Sequence, residues 1–237
     1  MRFPNPLVRG RLIKRYKRFL ADVELDSGEL ITASCPNTGA MLGLSAPGTY
    51  IWLSTNDNPK RKYRYTWELV ENDLGFGPVL VGINTSHPNK LVADAIGDGQ
   101  LEALGGYESL KREQAYGKAS RIDLLLEDPA KGRAYVEVKN VHLMRERGLA
   151  EFPDSVTQRG LKHLEELGDM AEVGHRAVML YLIQRSDARQ VRMAADIDPA
   201  YANGLARAVS RGVEALAYKC DLSSEEIRVT DAVPVIV

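Results

Sequence analysis

Short apolar runs separated by turn residues occupy the first third of the chain. Residues 7–25 read largely as strand, and Asp26-Ser-Gly28 makes a tight turn into a strand over 29–33. After the loop Cys35-Pro-Asn-Thr-Gly39, further strands are predicted at 50–53, 63–70 and 79–83. Several short strands at this spacing predict a small β-barrel over residues 1–85, of the OB-like kind that suits nucleic acid. From Asn84 the period lengthens. A helix is expected over 88–104, then strands over 111–116, 121–126 and 133–141. A helix over 155–167 follows, with Asp154 as its N-cap. The continuous apolar run 176–184 predicts a buried central strand. Leu205, Val209, Val213 and Leu216 stand at helical spacing and predict one long helix over 201–219, before a last strand over 227–237. Residues 86–237 thus read as an α/β domain with a mixed sheet, giving an α+β chain of two domains.

Composition changes this picture little. The 237 residues are 44% hydrophobic and 27% charged, as in folded proteins. Cys35 and Cys220 are too few for a disulfide scaffold and lack zinc-type neighbours. No apolar run is long enough to cross a bilayer, and Met-Arg-Phe-Pro-Asn-Pro has no signal-peptide core. The expectation is a cytoplasmic protein with no membrane partner.

Charge is more telling. The net value is -1, yet residues 1–85 hold 11 basic and 8 acidic residues, and the first eighteen residues hold no acid. Arg11, Lys14, Arg15, Lys17 and Arg18, with Lys60, Arg61, Lys62 and Arg64, are therefore candidates for nucleic-acid binding. Tyr16, Trp52, Tyr63, Tyr65 and Trp67 could stack bases or fill the barrel. The same cations would also suit a solvated strand edge.

The candidate chemistry lies in the second domain. Glu137 and Lys139 are two apart on a strand and share a face. Asp123 lies on the preceding strand, across the turn segment 127–132, so an antiparallel pair brings a second carboxylate beside them. Asp123 and Glu137, with the carbonyl of Val138, form a hard-oxygen set for Mg²⁺ or Mn²⁺. Lys139 would stabilise charge on a phosphodiester in hydrolysis or orient the attacking water. Glu113 and Asp94 could complete the metal sphere. The bland alternative is an exposed Glu–Lys pair contributing under ~1 kcal/mol. Apolar neighbours Ile122, Leu124, Val136 and Val138 argue for half-buried carboxylates, which need partners.

The pattern resembles the sugar fermentation stimulation protein family. The resemblance is carried by Arg15-Tyr-Lys-Arg-Phe19, Cys35-Pro-Asn-Thr-Gly39-Ala-Met41, Ser120-Arg-Ile-Asp123, Tyr135-Val-Glu-Val-Lys139, Phe152-Pro-Asp154, Thr157-Gln-Arg-Gly160 and Gly212-Val-Glu-Ala-Leu-Ala-Tyr218. It implies an OB-like domain followed by a domain of the PD-(D/E)xK nuclease fold, with DNA as partner. Here Ile122-Asp123 stands for the motif's Pro-Asp. The resemblance further implies that the helix after the core strand feeds the site, making Gln158 a catalytic candidate and Arg159 and His163 candidates to contact nucleic acid or the site. It implies that the 37–39 loop faces the domain junction. Three functions follow: a metal-dependent nuclease, a non-cleaving DNA-binding regulator of sugar metabolism on a nuclease-derived scaffold, or an RNA-directed protein on the same modules.

Overall fold

The computed structural model describes residues 1–117 and 120–237. Five strands close the N-terminal barrel: β1 (Val8–Tyr16), β2 (Leu20–Leu25), β3 (Leu30–Ser34), β4 (Tyr50–Thr55) and β5 (Tyr65–Asn72). Antiparallel pairings run β3-β2-β1-β4-β5, and a short parallel pairing of Ala33 with Tyr65 joins β3 to β5. Alternate residues point inward, so Leu12, Val23, Ala33, Ile51, Leu53 and Trp67 form one buried cluster. β6 (Val79–Gly82) extends β5 toward the second domain.

Helix α1 (Pro88–Gly97) follows. The large sheet is built from β7 (Ser109–Tyr116), β8 (Ser120–Asp128), β9 (Gly132–Val141), β12 (Arg176–Ile183), β14 (Glu214–Leu222) and β15 (Ile227–Ala232), in the order β15-β14-β12-β9-β8-β7. The central strands β9, β12 and β14 are parallel and the outer pairs antiparallel. Buried on both faces, β12 is apolar from Ala177 to Ile183. Helices α2 (Gln158–Glu172) and α3 (Pro199–Ser210) cover one face, burying Leu164, Leu167, Tyr201 and Leu205. Leu91, Val92 and Ala95 of α1 cover the other.

Three expectations need correction. Helix α1 stops at Gly97, and Glu102–Leu104 is a separate 3₁₀ turn. The long helix over 201–219 is instead α3 followed by β14. Gly212, at φ 101°, ends the helix; Val213 is buried just before β14, and the half-buried Leu216 lies in the sheet, where it pairs with Leu180. The sequence reading also missed a four-stranded sheet of β10 (Leu143–Glu146), β11 (Leu149–Phe152), β13 (Gln190–Met193) and β16 (Val235–Ile236). Its strands have two to four residues, too short to show a period.

Polar side chains tie barrel to sheet. Arg185 is fully buried: it donates to both carboxylate oxygens of Asp187, to the carbonyl of His142 and to Asn72 Oδ1 on β5. Glu68, also buried, accepts from Ser54 at 2.6 Å and Asn84 at 2.7 Å, and lies 2.8 Å from the His87 ring. Burial works against the Glu68 charge, but the His87 contact and these donors hold its pKa below the ordinary value.

Candidate active site

The site forms where the outer sheet opens. The β8–β9 register runs from Asp128 opposite Gly132 to Leu124 opposite Val136. One more step would set Asp123 opposite Glu137, but the ladder stops short. The N–H of Val138, left without a strand partner, donates to Asp123 Oδ2 at 2.7 Å. On the other side, β7 and β8 pair Arg112 with Leu124 and Gln114 with Ile122, leaving Glu113 between them at φ 52°. A left-handed glutamate inside a strand is strained, and such strain collects at functional sites. The Glu113–Asp123–Glu137 row therefore crosses three strands where their regular bonding gives way.

Asn89, in the first turn of α1, holds this end together. Its amide donates to Asp123 Oδ1 at 2.7 Å and to Glu113 Oε1 at 3.1 Å. Glu137 Oε1 accepts from Lys139 Nζ at 2.6 Å and from His163 Nδ1. Arg159 Nε donates to His163 Nε2 at 3.4 Å, which fixes the Nδ1–H tautomer that serves Glu137. Glu137 Oε2 is buried without a hydrogen-bond partner.

The two carboxylates have opposite electrostatics. Burial would raise the Glu137 pKa, but the His163 hydrogen bond and the Lys139 charge outweigh it, and the value falls below the ordinary range. Burial, and then the negative charge of Glu137, raise that of Asp123 against the Val138 N–H, Lys139 and Asn89. One carboxylate stays charged while its neighbour resists charging.

The other expected residues divide. His163 and Arg159 reach the site. Gln158 is exposed in the first turn of α2. Asp94 is turned away and pairs with Lys90 on its own helix. Glu113 meets Asn89, and among the described residues no three His, Cys, Asp or Glu side chains converge as a metal cage. Asp154 is not a cap: Thr157 caps α2 by accepting from the N–H of Gly160. Asp154 Oδ2 instead accepts from Met41 N at 2.8 Å and lies 3.2 Å from His142 Nε2, tying the 37–39 loop region to the strand-to-helix link.

On the barrel, Arg15 spends its guanidinium on the carbonyls of Arg18, Asn37 and Gly39 at 2.8–2.9 Å, so it braces a loop. Arg11 lies over the Tyr50 ring, Lys14 is 3.4 Å from Asp22, and Arg64 is 2.9 Å from Asp57. Lys17, Arg18, Lys60, Arg61 and Lys62 are exposed. Trp67 is core, its indole N–H donating to the Leu69 carbonyl. Sequence reasoning missed Asn89, Arg185 and the Asp154 tie. Nothing local to Asn89 marks it except its place after Pro88.

Comparison with known proteins settles the lineage. Residues 13–83 match the family model described as the SfsA N-terminal OB domain, and residues 86–226 match the sugar fermentation stimulation protein RE domain. The chain belongs to the sugar fermentation stimulation protein family. A family homolog from Rhodospirillum centenum is 59% identical over 227 residues, covering 96% of each chain. One from Rhizobium rhizogenes is 57% identical over 235 residues, covering 99% of this chain and 93% of that one. An SfsA of Pyrococcus furiosus, solved in complex with Ca²⁺, superposes with a TM-score of 0.87 at 28% identity, covering 100% of this chain and 98% of that one.

Proposed function

We propose that the protein binds DNA and hydrolyses its phosphodiester bonds at Asp123 and Glu137 with Mg²⁺ or Mn²⁺ bound. The observation that carries this reading is the buried, unpartnered Glu137 Oε2 beside an Asp123 whose charge Glu137 opposes. Lys139 meets only Oε1 of Glu137, so Oε2 and Asp123 leave room for a second cation. Two carboxylates suit a hard ion that keeps water in its remaining positions, and Ca²⁺ in the archaeal relative supports a divalent site in this fold. The bound cation would polarise a phosphodiester oxygen.

The chain's own groups do the rest. Asn89 and the Val138 N–H hold Asp123 in place. His163, itself fixed by Arg159, orients Glu137. Lys139 keeps its ammonium at the carboxylates, where it offsets charge on the phosphorane as a water oxygen adds to phosphorus and the bond to the leaving oxygen breaks. The proton of that water leaves through Glu113, which faces the open cleft.

A second reading has its own support. Lys139 and His163 both occupy Glu137 Oε1, and no third ligand converges among the described residues. On that reading the protein is a non-cleaving DNA-binding regulator. Supercoiled and linear DNA, incubated with Mg²⁺ or Mn²⁺ and parent protein or Glu137→Gln, separates the two. Cutting by the parent alone supports hydrolysis. Salt-dependent retardation with intact DNA in both supports the regulator. Cutting of RNA alone would redirect the substrate.

A further inference from the structure

Two helices orient the two carboxylates, and the leads into both are tied to one barrel loop. Asn89, in the first turn of α1, holds Asp123. His163, on α2, holds Glu137 and is itself held by Arg159. Just before α1, Thr85 Oγ1 donates to the carbonyl of Pro36 at 2.7 Å. Just before α2, Asp154 Oδ2 accepts from Met41 N at 2.8 Å. Residues 36–41 therefore moor both leads.

Little slack separates either mooring from the site. Thr85 stands four residues before Asn89, and His87 between them lies 2.8 Å from the buried Glu68 of β5. Pro88 then fixes φ at the first position of the helix. The second lead is clamped at both ends, Asp154 by Met41 and the N–H of Thr157 by Asp198 Oδ2 at 2.8 Å. Arg159 follows Thr157 by two residues.

The loop is itself braced. Arg15 donates to the carbonyls of Asn37 and Gly39, both at 2.8 Å, and Gly39 N donates to Asn37 Oδ1 at 2.8 Å. Asn37 and Met41 are buried. A Cβ at Gly39 would stand 3.0 Å from Asn37 Oδ1 and 3.4 Å from Asp154 Oδ2, so bare backbone here lets the loop lie against Asp154. Ties farther along the barrel lead elsewhere: Asn72 meets Arg185 and Gly82 meets Gln184, just past the end of β12.

We infer that the barrel loop 36–41 is a positioning element of the sheet site, setting Asn89 against Asp123 through Thr85 and His163 against Glu137 through Asp154. The barrel is then part of the site's construction as well as a candidate binding module. The inference rests on the hydrolytic reading only for what the two carboxylates do. Thr85 and Asp154 are positioning residues, each acting through the helix that follows it.

Two signals report those positions without metal or substrate. The Val138 amide donates to Asp123 Oδ2, so its hydrogen exchange follows Asp123. The chain has four histidines, so ¹⁵N-histidine labelling resolves the His163 ring and its Nδ1–H bonded to Glu137. Thr85→Val keeps the shape and loses the hydroxyl. It should speed Val138 exchange about tenfold relative to the amides of β12, and Thr85→Ser should restore it. Asp154→Ala should broaden or remove the His163 Nδ1–H signal. Asp154→Asn keeps an oxygen for Met41 N and should restore that signal. Thr230→Val removes a matched hydroxyl-to-carbonyl bond, Thr230 to Lys219 at 3.3 Å, and should change neither signal. An unmoved Val138 amide would overturn the α1 arm, and an intact His163 signal the α2 arm. Val138 and β12 accelerating by the same factor would mean a merely stabilising contact and would also overturn the inference. If DNA is cut, Thr85→Val should lower kcat about tenfold with KM little changed. Signals that move as expected in a protein that cuts nothing would sink the hydrolytic reading and leave the positioning standing. A parent that cuts, with both signals unmoved in the variants, would do the reverse.

Discussion

The barrel and the sheet domain carry similar basic side chains and use them differently. On the barrel, Arg15 braces a loop through three carbonyls, while Arg9, Lys14 and Arg64 pair with Asp26, Asp22 and Asp57. Around the open sheet edge, Arg121 and Arg159 have no carboxylate partner among the described residues, and Lys139 sits between a carboxylate and an imidazole. A run of cations in sequence therefore overstates the barrel's free charge, and scattered single cations understate that of the cleft. The difference is between charge that closes local structure and charge left facing a ligand.

The sharpest way to break this contrast is to empty the sheet site. Glu137→Ala leaves Lys139 and His163 without their buried partner, and breaking a buried pair costs ~3–5 kcal/mol. Thermal unfolding should show the second domain melting well below the parent. Glu137→Gln keeps the shape and, on the proposed hydrolytic reading, should abolish the upward shift in Tm expected of the parent with Mg²⁺ or Mn²⁺. A melting temperature unmoved by Glu137→Ala would show the pair to be inert. Next in size is the tie between domains. Asp154→Ala strands the Met41 N–H and frees His142, at ~1–3 kcal/mol for buried groups left unpaired. The expected outcome is a lower Tm and faster hydrogen exchange in the 37–41 loop, with exchange in β12 unchanged.

Much of this was legible in sequence where period and chemistry agreed. The β8 and β9 strands, Asp123, Glu137 and Lys139 follow from alternation and from carboxylates set among apolar residues. The second half of the supposed 201–219 helix was not legible, because Val213 and Leu216 satisfy helical spacing while Gly212 ends the helix. Asn89, Arg185 and Asp154 were hidden for another reason. Each acts on residues 34 to 113 positions away, so no local pattern records it. The same holds for the cleft that Glu113 faces, whose lining residues Arg121 and Arg159 come together only in the folded sheet.

A subtler test uses pH and the Asp123 carboxylate. Its folded pKa is raised, first by burial and then by Glu137, so folding favours its neutral form. That contribution is present below the ordinary value of 3.8 and is lost as pH rises through the raised value. Above that point the charged carboxylate is a burden on the fold. Asp123→Asn removes that burden but sets its NH₂ against one of the two donors Asp123 accepts from, so the two effects oppose each other at neutral pH, while the Tm of the variant relative to the parent should fall as the solution is acidified. Glu137, with its lowered value, behaves oppositely: its contribution holds above 4.5 and fades as pH falls through the folded value. Cation binding by the parent should weaken as Asp123 protonates, at a pH above its ordinary value of 3.8. A Tm of Asp123→Asn that rises relative to the parent on acidification would contradict this assignment.

The smallest expected effect sharpens the barrel half of the comparison. Lys14 is mostly exposed, lies 3.4 Å from Asp22, and sits near the Tyr16 ring. Such surface pairs contribute well under ~1 kcal/mol, so Lys14→Ala should shift Tm by no more than about a degree. Its charge is already shared with Asp22, so the salt slope of DNA binding should stay within error of the parent. Lys17→Ala with Arg18→Ala removes two exposed cations from the β1–β2 turn, where φ is 51° and 65°. It should flatten that slope by up to about two phosphates' worth if the barrel contributes to binding at all. Measured side by side, the two variants ask whether pairing, rather than the presence of a cation, decides which barrel residues a nucleic acid meets. Equal slopes in both would confine binding to the cleft and make the barrel's basic run a solvated strand edge.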